Sequence, residues 1–177
     1  MSANLGKLHE NPAMIGSWAL EPALSTVSFQ TKAMWVLPVR GTFAAIGGHA
    51  TVTRDGGLSG QITLDAASVT TGNAKRDQHL RTPDFLDTDR YPTLAFTAIS
   101  AQPADAAGRF LIEGVFTAHG VDHPLTVSAQ LAIQGLDVTL SAEVDLDRGD
   151  WGVSRSSMGA SRKTHVTICA AFVKSGS

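Results

Sequence analysis

Acidic and basic side chains that could do chemistry are concentrated in one short stretch, residues 73–90, with the sequence NAKRDQHLRTPDFLDTDR. This stretch holds four basic and four acidic residues, and Arg76 and Asp77 are adjacent in it. Because the two signs balance, we expect these side chains to pair with one another rather than to collect phosphate or nucleic acid.

Two further histidines are candidates for acid–base or metal chemistry. His119 and His123 lie four residues apart in the sequence AHGVDHP, with Asp122 between them. Gly120 and Pro124 predict a turn at this place, so the two imidazoles cannot share a helix face as they do in a zinc protease. We expect both histidines to satisfy backbone groups of the turn.

The remaining reactive side chains do not form a recognisable catalytic set. His79 follows Asp77 by two residues, so the two side chains would diverge on a helix. The sequence has no nucleophile elbow and no Walker-type loop, and Cys169 lies in a strand-like pattern where it packs as a small hydrophobe. We predict that the protein is not an enzyme, with a small-molecule enzyme that uses His119 or His79 as the alternative.

A second charged segment, residues 151–163 with the sequence WGVSRSSMGASRK, differs from the first because it has no acidic residue. Arg155, Arg162 and Lys163 could receive an anionic group there, helped by free backbone donors in the glycine- and serine-rich loop. The alternative is a solvated loop that balances the acidic residues just upstream, and the sequence favours neither.

Most of the chain shows apolar and polar residues in alternation, which is typical of β-strands. The predicted strands are residues 18–32, 41–53, 58–65, 93–102, 109–117, 124–133, 137–146 and 164–173. Short connections with turn residues join several of them, so neighbours are antiparallel. Eight such strands close into a barrel or stack as a sandwich, and we predict the barrel because it leaves no edge.

A helical insert interrupts the strands at about residues 73–86. Asn73 can cap its first turn, and Thr82 followed by Pro83 repeats this start signal. Tyr91 before Pro92 then returns the chain to extended structure. The fold class is therefore an all-β, eight-stranded antiparallel β-barrel with one short helical insert.

Composition fits one soluble domain. The 177 residues are 43% hydrophobic and 17% charged, and the net charge of -2 gives no basis for binding nucleic acid. A single cysteine excludes an internal disulfide. The first residues lack the unbroken apolar core of a signal peptide, so we expect a cytoplasmic protein without stable membrane insertion, or a periplasmic or secreted one if a leader was removed.

Several motifs in order along the chain resemble those of the YceI-like family of bacterial polyisoprenoid-binding proteins. They are WALEPALSTVSF, VRGTF, TGNAKRDQHLRTPDFLDTDRYPTLAF, LIEGVFTAHGVDHPLTV and DRGDWGV. The resemblance implies a lipocalin-like barrel over residues 17–174, after an N-terminal extension of residues 1–16. It also implies non-enzymatic binding of an isoprenoid lipid or a similar amphiphile, such as a quinone or a polyprenyl phosphate, and a homodimer.

The predicted binding residues combine this implication with the inward side of each strand. Arg155, Arg162 and Lys163 are candidates for the head group; Arg76 and Asp77 match the family's Arg-Asp pair and are interpreted as structural, with head-group contact as the alternative. No cofactor or metal is expected besides a bound lipid. Alternation alone does not separate a cavity wall from a filled interior, so a filled barrel with a structural or stress role stays open. The predicted apolar wall is Phe29, Phe43, Ile62, Leu64, Phe96, Ile112, Val127, Leu140 and Ile168, and the predicted mouth is Leu80, Phe85 and Met158.

Overall fold

The computed structural model of the chain describes residues 8–33, 37–106, 108–153 and 162–175. Antiparallel strands dominate these ranges, as the period-two alternation predicts. In chain order the strands and the α-helix are β1 Gly16–Leu20, β2 Thr26–Ala33, β3 Leu37–Val52, β4 Leu58–Thr70, α1 Ala74–Leu80, β5 Thr93–Pro103, β6 Arg109–Ala118, β7 Val121–Gln134, β8 Asp137–Asp147 and β9 Lys163–Lys174.

The sheet closes into a barrel with eight strand positions. Its order is β3, β2, β9, β8, β7, β6, β5 and β4, and β4 pairs back with β3 to complete the ring. The predicted eight-stranded antiparallel barrel with one short helix is confirmed. Because neighbouring strands are antiparallel, the ends of β2, β4, β6 and β8 lie together at one end of the barrel. We call this end the mouth and the opposite end the floor.

β1 and β2 share one position of the barrel, whereas the sequence predicted a single strand there. Both pair with β3 and β9, at different heights. A 3₁₀ helix at Pro22–Leu24 separates them. The Ser25 hydroxyl accepts from the Ala171 backbone N–H at 3.0 Å, so β9 keeps its hydrogen bonding across the break.

Two hydrophobic clusters divide the interior. The floor cluster includes Phe110 and Ala129, which are fully buried, and Met14 from a 3₁₀ helix at Pro12–Met14 that precedes β1. The Trp18 indole N–H donates to the Met14 carbonyl at 3.0 Å and holds this helix against the floor. The mouth cluster is smaller and consists of Val27, Leu64, Ala66, Leu94, Ala118 and Trp151.

The helical insert between β4 and β5 lies at the mouth end and is less helical than the sequence predicted. The Asn73 side chain caps α1 by accepting from the Arg76 N–H at 3.0 Å, as expected. Thr82 does not start a second helix, because its hydroxyl donates back to the His79 carbonyl at 2.6 Å. Residues 81–90 form successive turns instead. Within the described ranges, no helix has the length and apolar character needed to cross a membrane.

Candidate functional site

The mouth half of the barrel encloses an apolar cavity of about 370 Å³. All nine side chains that the sequence assigned to an apolar wall lie on its lining, as do Leu80 and Phe85 from the insert. The barrel is therefore filled at its floor and hollow at its mouth. Whether these side chains bind a ligand stays a prediction.

Register explains why these residues meet in the cavity. On β8, Leu140, Ala142 and Val144 alternate with outward side chains, and in the β8–β9 ladder Ala142 lies opposite Ile168 and Val144 opposite Val166. Each pair presents its side chains to the same face of the sheet. A period-two pattern on a closed barrel thus produces a continuous apolar wall.

Aromatic rings shape this wall on two sides. Phe29 lies opposite Gly41 in the β2–β3 ladder, and its ring centroid is 5.4 Å from that of Phe43. A Cβ at Gly41 would lie 2.4 Å from the Phe29 ring, so only glycine leaves room for this ring position. On the other side, Trp151 packs edge-on against Phe116 with centroids 5.3 Å apart.

Trp151 is a wall residue that the strand pattern could not identify, because it lies in a 3₁₀ helix after β8, at Arg148–Trp151. It is buried, and its indole N–H donates to the Phe116 carbonyl at 2.7 Å. A large aromatic side chain with a satisfied polar group is a stable wall component.

The insert covers part of the mouth with apolar side chains. His79, Leu80, Phe85 and Leu86 all line the cavity. The Leu86 N–H donates to the Leu80 carbonyl at 3.0 Å, and the imidazole of His79 packs edge-on against Phe85. These contacts fold the insert into a compact cover. Met158, the third residue predicted at the mouth, lies outside the described residues.

Thr71 anchors the insert by binding the two side chains that were predicted to pair with each other. Its backbone N–H donates to the Asp77 carboxylate at 2.8 Å, and its hydroxyl donates to the same oxygen. Arg76 donates to the Thr71 hydroxyl at 2.8 Å and to the Thr71 carbonyl at 3.0 Å. Arg76 and Asp77 therefore meet on Thr71, because this threonine, directly after β4, offers two donors and two acceptors.

The Asp77 carboxyl is buried and its pKa lies below the ordinary value for aspartate. The main cause is the hydrogen bond from the Thr71 hydroxyl, which outweighs the opposing effect of burial. The Thr71 backbone N–H and the charge of Arg81 lower this pKa further. Asp77 is thus held as a carboxylate at the base of the insert.

Arg81 is a second anchor, which the sequence reasoning missed. Between Ala44 and Thr42 the β3–β4 register shifts, and residues 66–69 leave the ladder. The Arg81 guanidinium donates to the freed carbonyls of Ala67 at 2.8 Å and Val69 at 3.1 Å. No sequence signal marks this role, since it depends on where the bulge falls.

The basic side chain on the wall after β8 is Arg148. It follows Val144 and Leu146 by one more step of two residues, but it lies in the 3₁₀ helix after β8, where the strand period no longer predicts the direction of a side chain. Its guanidinium donates to the Val153 carbonyl at 2.8 Å and lies 5.7 Å from the centroid of the Phe85 ring. Burial lowers the pKa of this guanidinium, and the nearby charge of Arg162 lowers it further.

The predicted head-group residues lie elsewhere or outside the described ranges. Arg155 is outside them. Arg162 forms an ion pair with Asp147 at 3.1 Å and is not part of the cavity lining. Lys163 is exposed and lies opposite Asp147 in the β8–β9 ladder. The described part of this segment thus lies beside Asp147, and head-group binding by this segment stays a prediction.

The histidines of the AHGVDHP turn are separated from one another. His119 and Gly120 form the two-residue β6–β7 turn, both with positive φ, and the His119 ring packs against Tyr91. His123 packs against Trp151 and lies 3.9 Å from Asp150, while Asp122 accepts from the Thr117 hydroxyl at 2.6 Å. Among the described residues, His, Cys, Asp and Glu side chains form no group of three that could hold a metal ion.

Comparison with known sequences and structures agrees with this architecture. The family model described as "YceI-like domain" matches residues 18–173. Protein YceI of Shigella flexneri is 41% identical over 76 residues, which are 43% of this chain and 39% of that protein. The UPF0312 protein plu2095 of Photorhabdus laumondii is 31% identical over 102 residues, which are 58% of this chain and 46% of that protein. The matched stretches thus span less than half of either relative.

Two solved structures share the fold. Burkholderia cenocepacia BcnA superposes with a TM-score of 0.75 at 20% identity, covering 86% of this chain and 98% of that chain. A polyisoprenoid binding domain from Saccharophagus degradans, implicated in plant cell wall breakdown, superposes with a TM-score of 0.69 at 14% identity, covering 89% of this chain and 98% of that chain. At these identities the similarity establishes the fold.

Proposed function

The chain belongs to the YceI-like family, and on that premise we propose that its barrel binds an isoprenoid lipid, such as a quinone or a polyprenyl phosphate, for storage, transport or sequestration. The observation that carries this proposal is the apolar cavity of about 370 Å³ in the mouth half of the barrel. Its volume lies within the range of about 300–1,000 Å³ that is typical of ligand pockets. The solved polyisoprenoid binding domain with the same fold supports it.

Burial of apolar surface supplies enough free energy for such binding. One five-carbon isoprene unit contributes about 3–4 kcal/mol when its carbons leave water. Association costs about 4–15 kcal/mol in lost freedom of motion, so a few buried units give useful affinity. Such an interaction follows the apolar length of the ligand more than its exact structure.

We propose that this binding is non-enzymatic. His79, the histidine on the cavity lining, lies 3.2 Å from Asp84 and edge-on to Phe85, which gives it a place in the packing of the insert. The alternative is an enzyme that uses His79 as an acid–base group. Incubation of the protein with a bound prenyl lipid should return the lipid unchanged, and a conversion that His79→Gln abolishes would establish the enzyme instead.

The test of lipid binding is organic extraction of freshly purified protein, followed by mass spectrometry of the extract. We expect an isoprenoid in a near-stoichiometric amount. As a control, the same extraction is made from Val144→Trp protein, because an indole at this lining position fills the cavity. An empty extract from the wild-type protein, together with no uptake of added prenyl lipids, would contradict the proposal.

A homodimer and a cytoplasmic location, both expected from the sequence, also stay proposals. Light scattering of the purified protein tests the first, and fractionation of cells that express the full-length gene tests the second.

A further inference from the structure

The cavity has a closed inner end, which limits the length of chain that it can hold. Phe110 and Ala129 of the floor cluster have no exposed surface, and Ala170 is 2% exposed. Ile112, Val127 and Ala142 of the same cluster line the cavity, so a ligand tail that enters from the mouth can reach these residues but must stop above Phe110 and Ala129. In a close-packed interior, further space would require side chains to leave their rotamer minima.

The cavity volume sets the number of carbon atoms that a ligand tail can bury. An apolar cavity of about 150 Å³ holds one benzene molecule, or about 25 Å³ for each carbon atom. At that density a cavity of about 370 Å³ holds about 15 carbons, or three isoprene units. A longer chain would leave its remaining units outside the mouth.

The ionisable part of the lining is basic. Among the lining residues that the structure describes, Lys32, Arg76, His79 and Arg148 are basic and none is acidic. Lys32 lies near the end of β2, Arg76 and His79 lie on α1, and Arg148 follows β8. All of these places are at the mouth end, so the basic side chains surround the point where a head group would remain.

The guanidinium groups of the two arginines, Arg76 and Arg148, are held in fixed positions. Arg76 is tied to Thr71 by two hydrogen bonds, and Arg148 donates to the Val153 carbonyl while its guanidinium lies over the Phe85 ring. An arginine that is already positioned loses little rotamer freedom when it binds an anion. The partial burial of Arg148 also strengthens its interaction with a negative charge.

From the cavity volume and the basic mouth we infer that this site takes an anionic amphiphile with a tail of about 15 carbons, whose head group contacts Arg148 and Arg76. This inference rests on the proposed function and narrows it to a short prenyl chain with a phosphate-like head. It excludes a neutral quinone as the preferred ligand, since a quinone gains little from two guanidinium groups.

Tail length is tested with prenyl monophosphates of 10, 15, 20 and 40 carbons added to delipidated protein. Trp151 lines the cavity, so its fluorescence reports occupancy, with Trp151→Phe as the control for the signal. We expect affinity to rise about 100- to 1,000-fold from 10 to 15 carbons. From 15 to 40 carbons we expect a change of less than about 10-fold, because the added units stay outside. A steep rise that continues to 40 carbons would overturn the length limit.

Head-group recognition is tested by comparing farnesyl phosphate with farnesol, which has the same tail and no charge. Arg148→Gln should weaken farnesyl phosphate binding by about 10- to 100-fold through the loss of charge-assisted hydrogen bonds. Farnesol binding to the same variant should be unchanged, which also shows that the variant is folded. Arg148→Lys should recover part of the loss.

The matched control is Arg90→Gln, which removes the same charge from an exposed residue of the insert. Arg90 lies over Tyr91 and is not part of the lining, so both ligands should bind this variant as they bind the wild type. Equal losses for the two ligands in Arg148→Gln, or a phosphate-specific loss in Arg162→Gln alone, would overturn the head-group assignment. Failure of every prenyl compound to bind would instead contradict the proposed function itself.

Discussion

Thr71 forms the hydrogen bonds that attach two charged side chains of the insert to the end of β4. Three hydrogen-bonding groups of Thr71 engage Asp77 and Arg76. A buried carboxylate is stable only when donors compensate the water that it has lost. The Asp77 carboxylate is therefore held at the base of the insert mainly by Thr71.

The first prediction concerns the pH dependence of this anchor. The pKa of Asp77 is lowered in the folded state, so the ionised carboxylate stabilises the fold at pH values above its unfolded pKa. This contribution is lost as pH falls through the folded-state pKa. We expect Asp77→Asn to lower the free energy of unfolding by about 1–3 kcal/mol at pH 7. The difference from the wild type should shrink below about pH 4.

Urea denaturation of both proteins from pH 7 to pH 2 measures this difference. Asp89→Asn, at an exposed position of the same insert, serves as the control for charge removal. A difference between wild type and Asp77→Asn that is the same at pH 7 and pH 2 would show that the carboxylate charge does not stabilise the insert.

At the residue scale, the sequence could predict the inward strand residues but not the charged ones near the mouth. Ile62 and Leu64 follow from alternation, and they do lie on the cavity lining. Arg148 follows one predicted strand and Arg162 precedes another. Only the 3₁₀ helix after β8 determines which of the two side chains reaches the cavity. Arg162 instead pairs with Asp147. Period and composition do not encode such turns.

At the element scale, two of the three glycines of β3, Gly41 and Gly47, have surroundings that differ sharply. A Cβ at Gly41 would lie 2.4 Å from the Phe29 ring and 2.8 Å from the Thr70 carbonyl. A Cβ at Gly47 would meet no atom within 4 Å. Gly41 is thus required because a side chain would not fit there, whereas Gly47 leaves room for a side chain.

The second prediction uses this pair. Gly41→Ala should destabilise the protein by about 1–3 kcal/mol, because the new methyl group displaces the Phe29 ring or distorts β3. Gly47→Ala should leave the free energy of unfolding unchanged or raise it by up to about 1 kcal/mol, since alanine loses less backbone freedom on folding. Thermal and urea melts of the two variants decide the matter, and equal effects would contradict the close packing of Phe29.

The third prediction concerns the bulge of β4. Arg81 binds the carbonyls of Ala67 and Val69, which have left the ladder with β3. Arg81→Met should cost about 1–3 kcal/mol, because the two carbonyls lose their donor. Hydrogen exchange should also increase in the insert while the floor strands stay protected. Arg90→Met is the matched control; an equal effect of both variants would remove the proposed role of Arg81.

The antiparallel pairing of neighbouring strands could be predicted from the sequence, because short connections with turn residues join several of them. The interruptions of the strands could not be predicted. Pro22 gives a local reason for the 3₁₀ helix between β1 and β2, yet whether the chain resumes beside the same neighbours depends on Ser25, which supplies the missing acceptor for Ala171. The β4 bulge likewise depends on Ser68, whose hydroxyl accepts from the Ala44 N–H and donates to the Asp65 carbonyl. The Ser25–Ala171 and Ser68–Ala44 hydrogen bonds join residues that are far apart in the sequence.

At the scale of the whole molecule, the two ends of the barrel interior have different roles: one is packed with side chains and the other contains the cavity. The floor cluster contains Phe110 and Phe172 and closes the barrel with packed side chains. The mouth half leaves a cavity whose lining is almost entirely apolar. The same alternation builds both halves, so the sequence alone could not show where the filled part ends. Side-chain size and the covering insert decide that boundary.

The last prediction separates the contribution to stability from the contribution to ligand binding, with one variant in each half of the barrel. Phe110→Ala removes a fully buried ring from the floor cluster and should lower the free energy of unfolding by about 3–5 kcal/mol. Under conditions where this variant stays folded, its affinity for a prenyl ligand should remain close to that of the wild type, because Phe110 is not part of the cavity lining.

Val144→Trp makes the opposite change, since it adds an indole to a lining position of β8. The added ring occupies space that is empty, so the free energy of unfolding should change by less than about 1.5 kcal/mol. Prenyl binding should be abolished, because the tail and the indole compete for the same volume. Urea denaturation and fluorescence titration of both variants measure the two quantities. If Phe110→Ala abolished binding while Val144→Trp kept it, the ligand would have to reach the floor, and the division of the barrel into a packed floor and a hollow mouth would be wrong.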